Sequence, residues 1–151
     1  MSKITTESEP SFSIIGQGIR DLSFENLIDF NNISDKQPEI NIGIEADGKK
    51  LSDDVYEVNL RVTAEATHDD KTLFLLELEY IGLCQIKNVK EEMIPGLLMV
   101  QTPSMLFPFA RQIVADTTSN AGFPPLFLQP VDFATLYHNN QHANSNTVGN
   151  A

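Results

Sequence analysis

The feature that most constrains the fold of this chain is an unbroken alternation of apolar and polar residues from Val55 to Thr67. Because successive side chains of a strand point to opposite faces, this period of two predicts a strand with one buried face and one solvated face. A parallel strand covered on both faces would be apolar throughout, so the alternation favours an antiparallel sheet. The predicted buried row is Tyr56, Val58, Leu60, Val62, Ala64 and Ala66.

Three other segments have strand patterns, at Phe12–Phe24, Ile40–Ala46 and Thr72–Ile86. Gly16 and Gly18 interrupt the first segment and indicate a bulge or a bend. The dipeptide Asp47-Gly48 follows the second segment and predicts a turn after that strand. The mixed sequence from Asn26 to Pro38 is predicted to be a long crossover loop.

After Lys90 the apolar residues recur with a period close to 3.6, which predicts helices. Pro95-Gly96 is expected to break any helix that begins before it. The first stable helix is therefore predicted to carry the apolar residues from Leu106 to Val114, with Pro108 in its first turn and Gly122 at its end.

A second, shorter helix is predicted after Asp132, whose carboxylate can cap it. Its apolar residues are Phe133, Leu136 and Tyr137. The predicted fold class is α+β, with a four-stranded antiparallel sheet and helices packed on one of its faces. The predicted organisation is a flexible N-terminus at 1–10, one domain at 11–138 and a disordered polar tail at 139–151.

The composition limits the cell compartment and the kinds of partner. The chain has 151 residues, a formal net charge of -11 and a single cysteine, Cys84, so no internal disulfide can form. We expect no leader sequence at its start and no membrane-spanning segment, because no apolar run approaches the roughly 20 residues that a bilayer requires. We therefore expect a cytoplasmic protein without direct membrane insertion. Its charge disfavours nucleic acid and favours basic partners, although an acidic balance is also an ordinary solubility device.

The patterns that would indicate catalysis or metal binding are incomplete. His138 and His142 have the i, i+4 spacing of a helical metal pair, but no further ligand follows them. Asp53-Asp54 is either an acid/base pair or, more simply, a solvated turn before a strand. Gly16-Gln17-Gly18 lacks the third glycine of a dinucleotide loop. We therefore predict no catalytic residue, no metal site and no cofactor.

The fourth strand departs from a clean alternation on its solvated side. Leu75 stands beside Glu77 in the row that also holds Glu79 and should face water. Exposed single leucines are common, so Leu75 is either one of these or the apolar centre of a docking patch for a basic partner.

Four longer motifs resemble the SecB family of protein-export chaperones. They are Arg20–Glu25, Leu51–Val62, Leu106–Arg111 and Gly122–Leu126. The resemblance extends from about Phe12 to Tyr137 and follows the family's order. It implies an ATP-independent chaperone that binds unfolded preproteins, keeps them competent for translocation and delivers them to the SecA motor. It further implies a homotetramer built as a dimer of dimers, without nucleotide or metal.

The resemblance also implies two sets of site residues. The residues that match the family's SecA-binding positions, which we term the docking residues, are Asp21, Glu25, Leu75 and Glu77. The residues that match its client-binding groove, which we term the groove residues, are Ile40, Ile42, Ile44, Phe133, Leu136 and Tyr137. For the groove residues, simple core packing is the alternative interpretation.

Two other functions remain open at the level of sequence. The sheet and helices could enclose a small apolar substrate, with Asp53 or Asp54 as the base of an enzyme. A SecB-like adaptor dedicated to one partner, such as the antitoxin of a toxin pair, would have the same fold. The breadth of clients separates such an adaptor from a general export chaperone.

Overall fold

The computed structural model describes residues 9–33 and 36–140 of the chain. These residues form a four-stranded antiparallel sheet in the order β1-β4-β3-β2, so β1 and β2 are the edge strands. The strands are β1 (Ser11–Asn26), β2 (Glu39–Ser52), β3 (Val55–His68) and β4 (Lys71–Lys87). The predicted sheet is confirmed, and the crossover loop joins its two opposite edges. Most of the predicted N-terminal segment at 1–10 and most of the predicted tail at 139–151 lie outside the described residues.

The core lies on one face of the sheet, which we term the inner face. Val58, Leu60 and Val62 of β3 are completely buried there, together with Leu78 of β4. A long helix, Glu91–Asn120, packs on this face through residues such as Leu106. The alternation of β3 therefore points its apolar row into the core, as the sequence predicts. The opposite face, which we term the outer face, carries the polar row.

Two register shifts in β1 determine which of its side chains reach the outer face. They fall between Ile14 and Gly16 and between Ile19 and Asp21, and the first lies at the predicted glycine irregularity. Each shift adds one residue and reverses the alternation between the faces. A single shift would have turned Asp21 to the inner face, whereas the second shift returns it to the outer face.

The turn between β2 and β3 is not where the sequence predicts it. Asp47 and Gly48 lie inside β2, opposite Asn59 and Val58, and the turn is formed by Asp53-Asp54. The longer pairing keeps β2 alongside the whole apolar row of β3, which outweighs the local turn preference of an Asp-Gly pair. The turn interpretation of Asp53-Asp54 is confirmed.

The prediction that Pro95-Gly96 breaks the helix is wrong. The helical segment begins with a 3-10 turn at Glu91–Met93, and Pro95 falls in the first turn of the following α-helical residues, where its missing N–H is tolerated. A π-helical stretch at Leu97–Gln101 leads into the regular helix Thr102–Asn120. Pro108 consequently lies inside that helix and not in its first turn.

The predicted end of the long helix at Gly122 and the predicted start of the short helix after Asp132 are both confirmed. Gly122 has φ +95, and its N–H donates to the carbonyl of Ser119, which closes the long helix. Residues 133–140 form the short helix. Asp132 caps it, because its carboxylate accepts hydrogen bonds from the N–H and the hydroxyl of Thr135 at 3.1 and 2.9 Å.

Candidate functional site

All four docking residues lie on the outer face, on the two neighbouring strands β1 and β4. Leu75 pairs directly with Glu25, and Asp21 pairs with Glu79, which neighbours Glu77 in the same outward row. Paired residues of an antiparallel sheet point to the same face, so these side chains form one continuous patch. Leu75 is 38% exposed within it.

The pairing of β3 with β4 adds one carboxylate, that of Glu65, which the sequence could not assign to this patch. Glu65 of β3 is the partner of Leu75 on the side away from Glu25, so Leu75 stands between two glutamates. The alternation of β3 predicts that Glu65 faces outward, but only the register shows which residue lies beside it.

Charge is distributed unevenly over the outer face. Near the Gly16 end, Glu57 is almost fully buried and is paired with both Arg20 and Lys49. Near the docking residues compensation is weaker, since Arg61 approaches Glu77 only to 3.8 Å and both side chains are about half exposed. Such an exposed pair contributes little stability. The patch therefore keeps an excess of negative charge that can attract a basic partner.

Asp21 and Glu25 have no cationic partner within 4.0 Å among the residues that the structure describes. Their carboxylates are exposed at the edge strand β1. Exposed carboxylates at the rim of a surface accelerate the association of a basic partner and make it dependent on salt.

The strand half of the groove residues lies on the inner face but is only partly covered. Ile40 and Ile42 pair with Ala66 and Ala64, and they are 37% and 42% exposed. Ile44, one step further along β2, packs against the core. The edge strand β2 therefore presents two partly exposed isoleucines to solvent.

The helix half of the groove residues is mostly packed. Phe133 is 2% exposed and contacts Phe107 edge-on, with ring centroids 5.9 Å apart. Leu136 also packs against the core, and Tyr137 is half-buried. In this structure Phe133 is therefore a core residue, which is the alternative that its sequence pattern left open.

The other candidate residues lack the surroundings that chemistry requires. Asp53 is an exposed turn residue, and His138 is exposed at the end of the short helix, while His142 lies outside the described residues. Cys84 is buried against the hydroxyl of Thr102 at 3.3 Å, and burial raises the pKa of its thiol. A thiol in that environment is a poor nucleophile.

Comparison with known proteins gives the family. The model of the family described as "Preprotein translocase subunit SecB" matches residues 5–144. The chain is 43% identical over 131 residues to the protein-export protein SecB of Parvibaculum lavamentivorans, covering 85% of this chain and 78% of that protein. It is 45% identical over 133 residues to the SecB of Afipia carboxidovorans, with coverages of 87% and 83%.

The fold agrees with a solved structure. A SecB-like chaperone of Mycobacterium tuberculosis, in complex with a peptide from an antitoxin, superposes with a TM-score of 0.63 at 15% identity, covering 80% of this chain and 90% of that one. At that identity the likeness concerns the fold alone. The sheet with its long helix is thus the SecB architecture. With the family match and these relatives, the chain belongs to the SecB family of protein-export chaperones, which are not enzymes.

Proposed function

We propose that this export chaperone works in the cytoplasm as a homotetramer, a dimer of dimers, which holds unfolded preproteins and passes them to SecA. The observation that supports the SecA step most directly is the gathering of the docking residues into one acidic outer-face patch around Leu75. No nucleotide, metal or membrane insertion enters this function.

The patch has two components that serve different steps of docking. Carboxylates such as Asp21 and Glu25 attract basic segments over a distance of about 8–10 Å at ordinary salt. Leu75 offers an apolar contact that loses water once the partner is seated. Attraction sets the rate of association, while the apolar contact sets how long the complex lasts.

The experiment that tests SecA docking reverses one charge in the patch. Glu77→Lys should abolish SecA binding. It replaces a carboxylate that attracts a basic partner with a positive charge that repels it. Asp53→Lys makes the same charge change at the exposed hairpin turn and serves as the control. If Glu77→Lys bound SecA as tightly as the parent protein at low salt, the outer face would be only a solubility surface.

Tetramer formation is supported by apolar surface that one copy leaves uncovered. Only 33% of the most apolar 18-residue stretch of the long helix is buried within one copy. Phe109 of this helix is 52% exposed and stacks on Tyr80 of β4, whose neighbour on β1 is the exposed Ile19. An apolar strip of this kind at a sheet edge is typical of a subunit interface.

Native mass measurement tests the assembly. Phe109→Asp should shift the particle from a tetramer toward smaller species, because a charge would be buried between the copies. Phe127, which is 53% exposed under the guanidinium of Arg111, offers a matched control in Phe127→Asp. A monomeric parent protein at micromolar concentration in moderate salt would refute the proposed tetramer.

Client holding is assigned to the groove residues. The exposed Ile40 and Ile42 offer apolar contact that does not depend on a particular client sequence. Weak contacts of one client with several copies of a tetramer add up, because the later contacts form within one complex. Prevention of aggregation should therefore extend to several unrelated unfolded proteins. Holding restricted to one protein would instead identify a dedicated adaptor.

A further inference from the structure

The outer face contains a depression of 520 Å³ that crosses all four strands beside Leu75. It lies over one row of paired residues, which runs from Ser23 through Glu77 and Thr63 to Gly43. Three of these four side chains are small or absent, so the row leaves space that the neighbouring rows fill. Its volume falls within the range of about 300–1,000 Å³ that is typical of ligand clefts.

At the β2 side of this space, Gly43 lies against the side chain of Thr63. A Cβ atom built on Gly43 would lie 2.6 Å from the hydroxyl oxygen of Thr63, which is closer than real Cβ contacts. Gly18 lies on the same face at β1, yet a Cβ there would have no heavy atom within 4 Å. A side chain at position 43 would therefore displace the Thr63 side chain that lines the depression, whereas a side chain at position 18 would displace nothing.

Carboxylates surround the depression. Glu25 and Glu65 flank Leu75 on its two sides, and Glu77 stands in the adjoining row. Glu65 accepts a hydrogen bond from the hydroxyl of Thr72 at 3.2 Å, which leaves its charge uncompensated. The only cation within 4.0 Å of these three groups, among the described residues, is the exposed Arg61 beside Glu77.

We infer that this depression receives one lysine or arginine side chain of the docking partner. The aliphatic stem would lie along Leu75 and the charged group would lie among Glu25, Glu65 and Glu77. Long basic side chains bind in this divided manner because their stems are apolar and their ends are charged. The inference rests on the proposed function and adds Gly43, Thr63, Ser23 and Glu65 to the docking site as residues that determine which side chain fits.

Filling the depression without changing its charge tests the inference. Ser23 is exposed on β1, so Ser23→Leu should fold and should place a branched side chain in the space. Ser13 is also exposed on the outer face of β1 but lies outside the depression, opposite Gln85, so Ser13→Leu is the matched control. Gly43→Ala, with Gly18→Ala as its control, alters the depression from β2 by displacing the Thr63 side chain.

Binding of SecA to each variant is measured at low and at high salt, with client holding in parallel. Ser23→Leu and Gly43→Ala should each weaken SecA binding about tenfold at both salt concentrations, because the obstruction is steric. The two control variants should bind SecA as tightly as the parent protein. Client holding by all of these variants should also equal that of the parent. Glu65→Gln should weaken binding mainly at low salt, because it removes a charge.

The inference and the proposed function fail in different ways. If the parent binds SecA and Glu77→Lys blocks binding, but Ser23→Leu binds like the parent, the depression receives no side chain and the inference is overturned. If the parent itself does not bind SecA, the proposed docking function is overturned together with the inference. Gly43→Ala is assessed only if its circular dichroism and oligomer mass match the parent, and Ser23→Leu decides the question by itself.

Discussion

Glu25 and Leu75 face each other directly across β1 and β4, so the apolar side chain that the docking site exposes has a carboxylate beside it. Nothing in the local sequence joins these two residues, which are 50 positions apart. Their pairing depends on the two register shifts of β1, because removal of either shift would turn Glu25 to the opposite face. The two register shifts of β1 therefore place the carboxylate of Glu25 beside Leu75, the apolar centre of the patch.

This pairing predicts that Leu75 and Glu25 act on different rate constants. Leu75→Gln should increase the dissociation rate of SecA about tenfold and leave its salt dependence unchanged, because it removes an apolar contact formed in the complex. Glu25→Gln should slow association at low salt, and the effect should disappear at high salt as charges are screened. Stopped-flow binding at two salt concentrations measures both constants. Identical effects of the two variants would contradict this division.

The groove residues predict a separation between client holding and folding. Ile42→Asp should weaken the suppression of aggregation by an unfolded client and leave the fold intact, because Ile42 is already partly in water. Leu51→Asp changes another exposed apolar residue of β2 and is the control for added charge on this strand. Client aggregation and circular dichroism are measured together.

The helix half of the groove should respond differently. Phe133→Asp should reduce the stability of the fold, because it places a charge in the core against Phe107. If Ile42→Asp lost folding to the same extent as Phe133→Asp, Ile42 would be a core residue and not a client contact.

The sequence predicts the sheet well because its signal is repeated along each strand. Every second residue of β3 indicates the same buried face, so one ambiguous residue does not alter the strand prediction. The docking patch is harder to predict, because it depends on which residues stand opposite one another. The outward rows of β1 and β4 can be read separately, but the position of Glu25 beside Leu75 follows from the register shifts.

Two of the incorrect predictions share one cause, which is that a local preference was outweighed by contacts distant in sequence. Asp47-Gly48 is a strong turn signal, yet β2 continues because its pairing with β3 is retained and Gly48 lies against Leu98 of the long helix. Pro108 is unfavourable inside a helix, yet the helix continues through it because it is stabilised by the sheet on which it packs. Packing of an apolar face outweighs single-residue propensities.

The contact between the sheet and the long helix predicts a stability effect at Gly82. A Cβ on Gly82 would lie 2.9 Å from a methyl carbon of Leu106, which is completely buried. Gly82→Ala should therefore lower the free energy of unfolding by about 1–3 kcal/mol through overpacking. Gly96→Ala, in the helix and with no atom near the added Cβ, should instead raise it by up to about 1 kcal/mol.

Urea unfolding at one fixed protein concentration measures these changes, since assembly would otherwise alter the apparent stability. The double variant Gly82→Ala with Leu106→Ala should lose less free energy than the sum of the two single variants, because each change relieves the other. Additive losses would show that the contact between position 82 and Leu106 is not the cause of the lower free energy of unfolding in Gly82→Ala.

The cap of the short helix predicts a dependence on pH. Hydrogen bonds from the backbone N–H and the hydroxyl of Thr135 lower the pKa of Asp132 below its ordinary value. A carboxyl with a lowered pKa in the folded state stabilises the helix above its unfolded pKa, and this contribution is lost as the pH falls through the lowered value. The helicity of residues 133–140, followed by NMR chemical shifts, should therefore decrease under acidic conditions.

Asp132→Asn retains an acceptor that does not titrate and should remove this pH dependence, whereas Asp132→Ala should fray the helix at every pH. A helix in Asp132→Ala as well formed as in the parent at neutral pH would show that the cap contributes nothing.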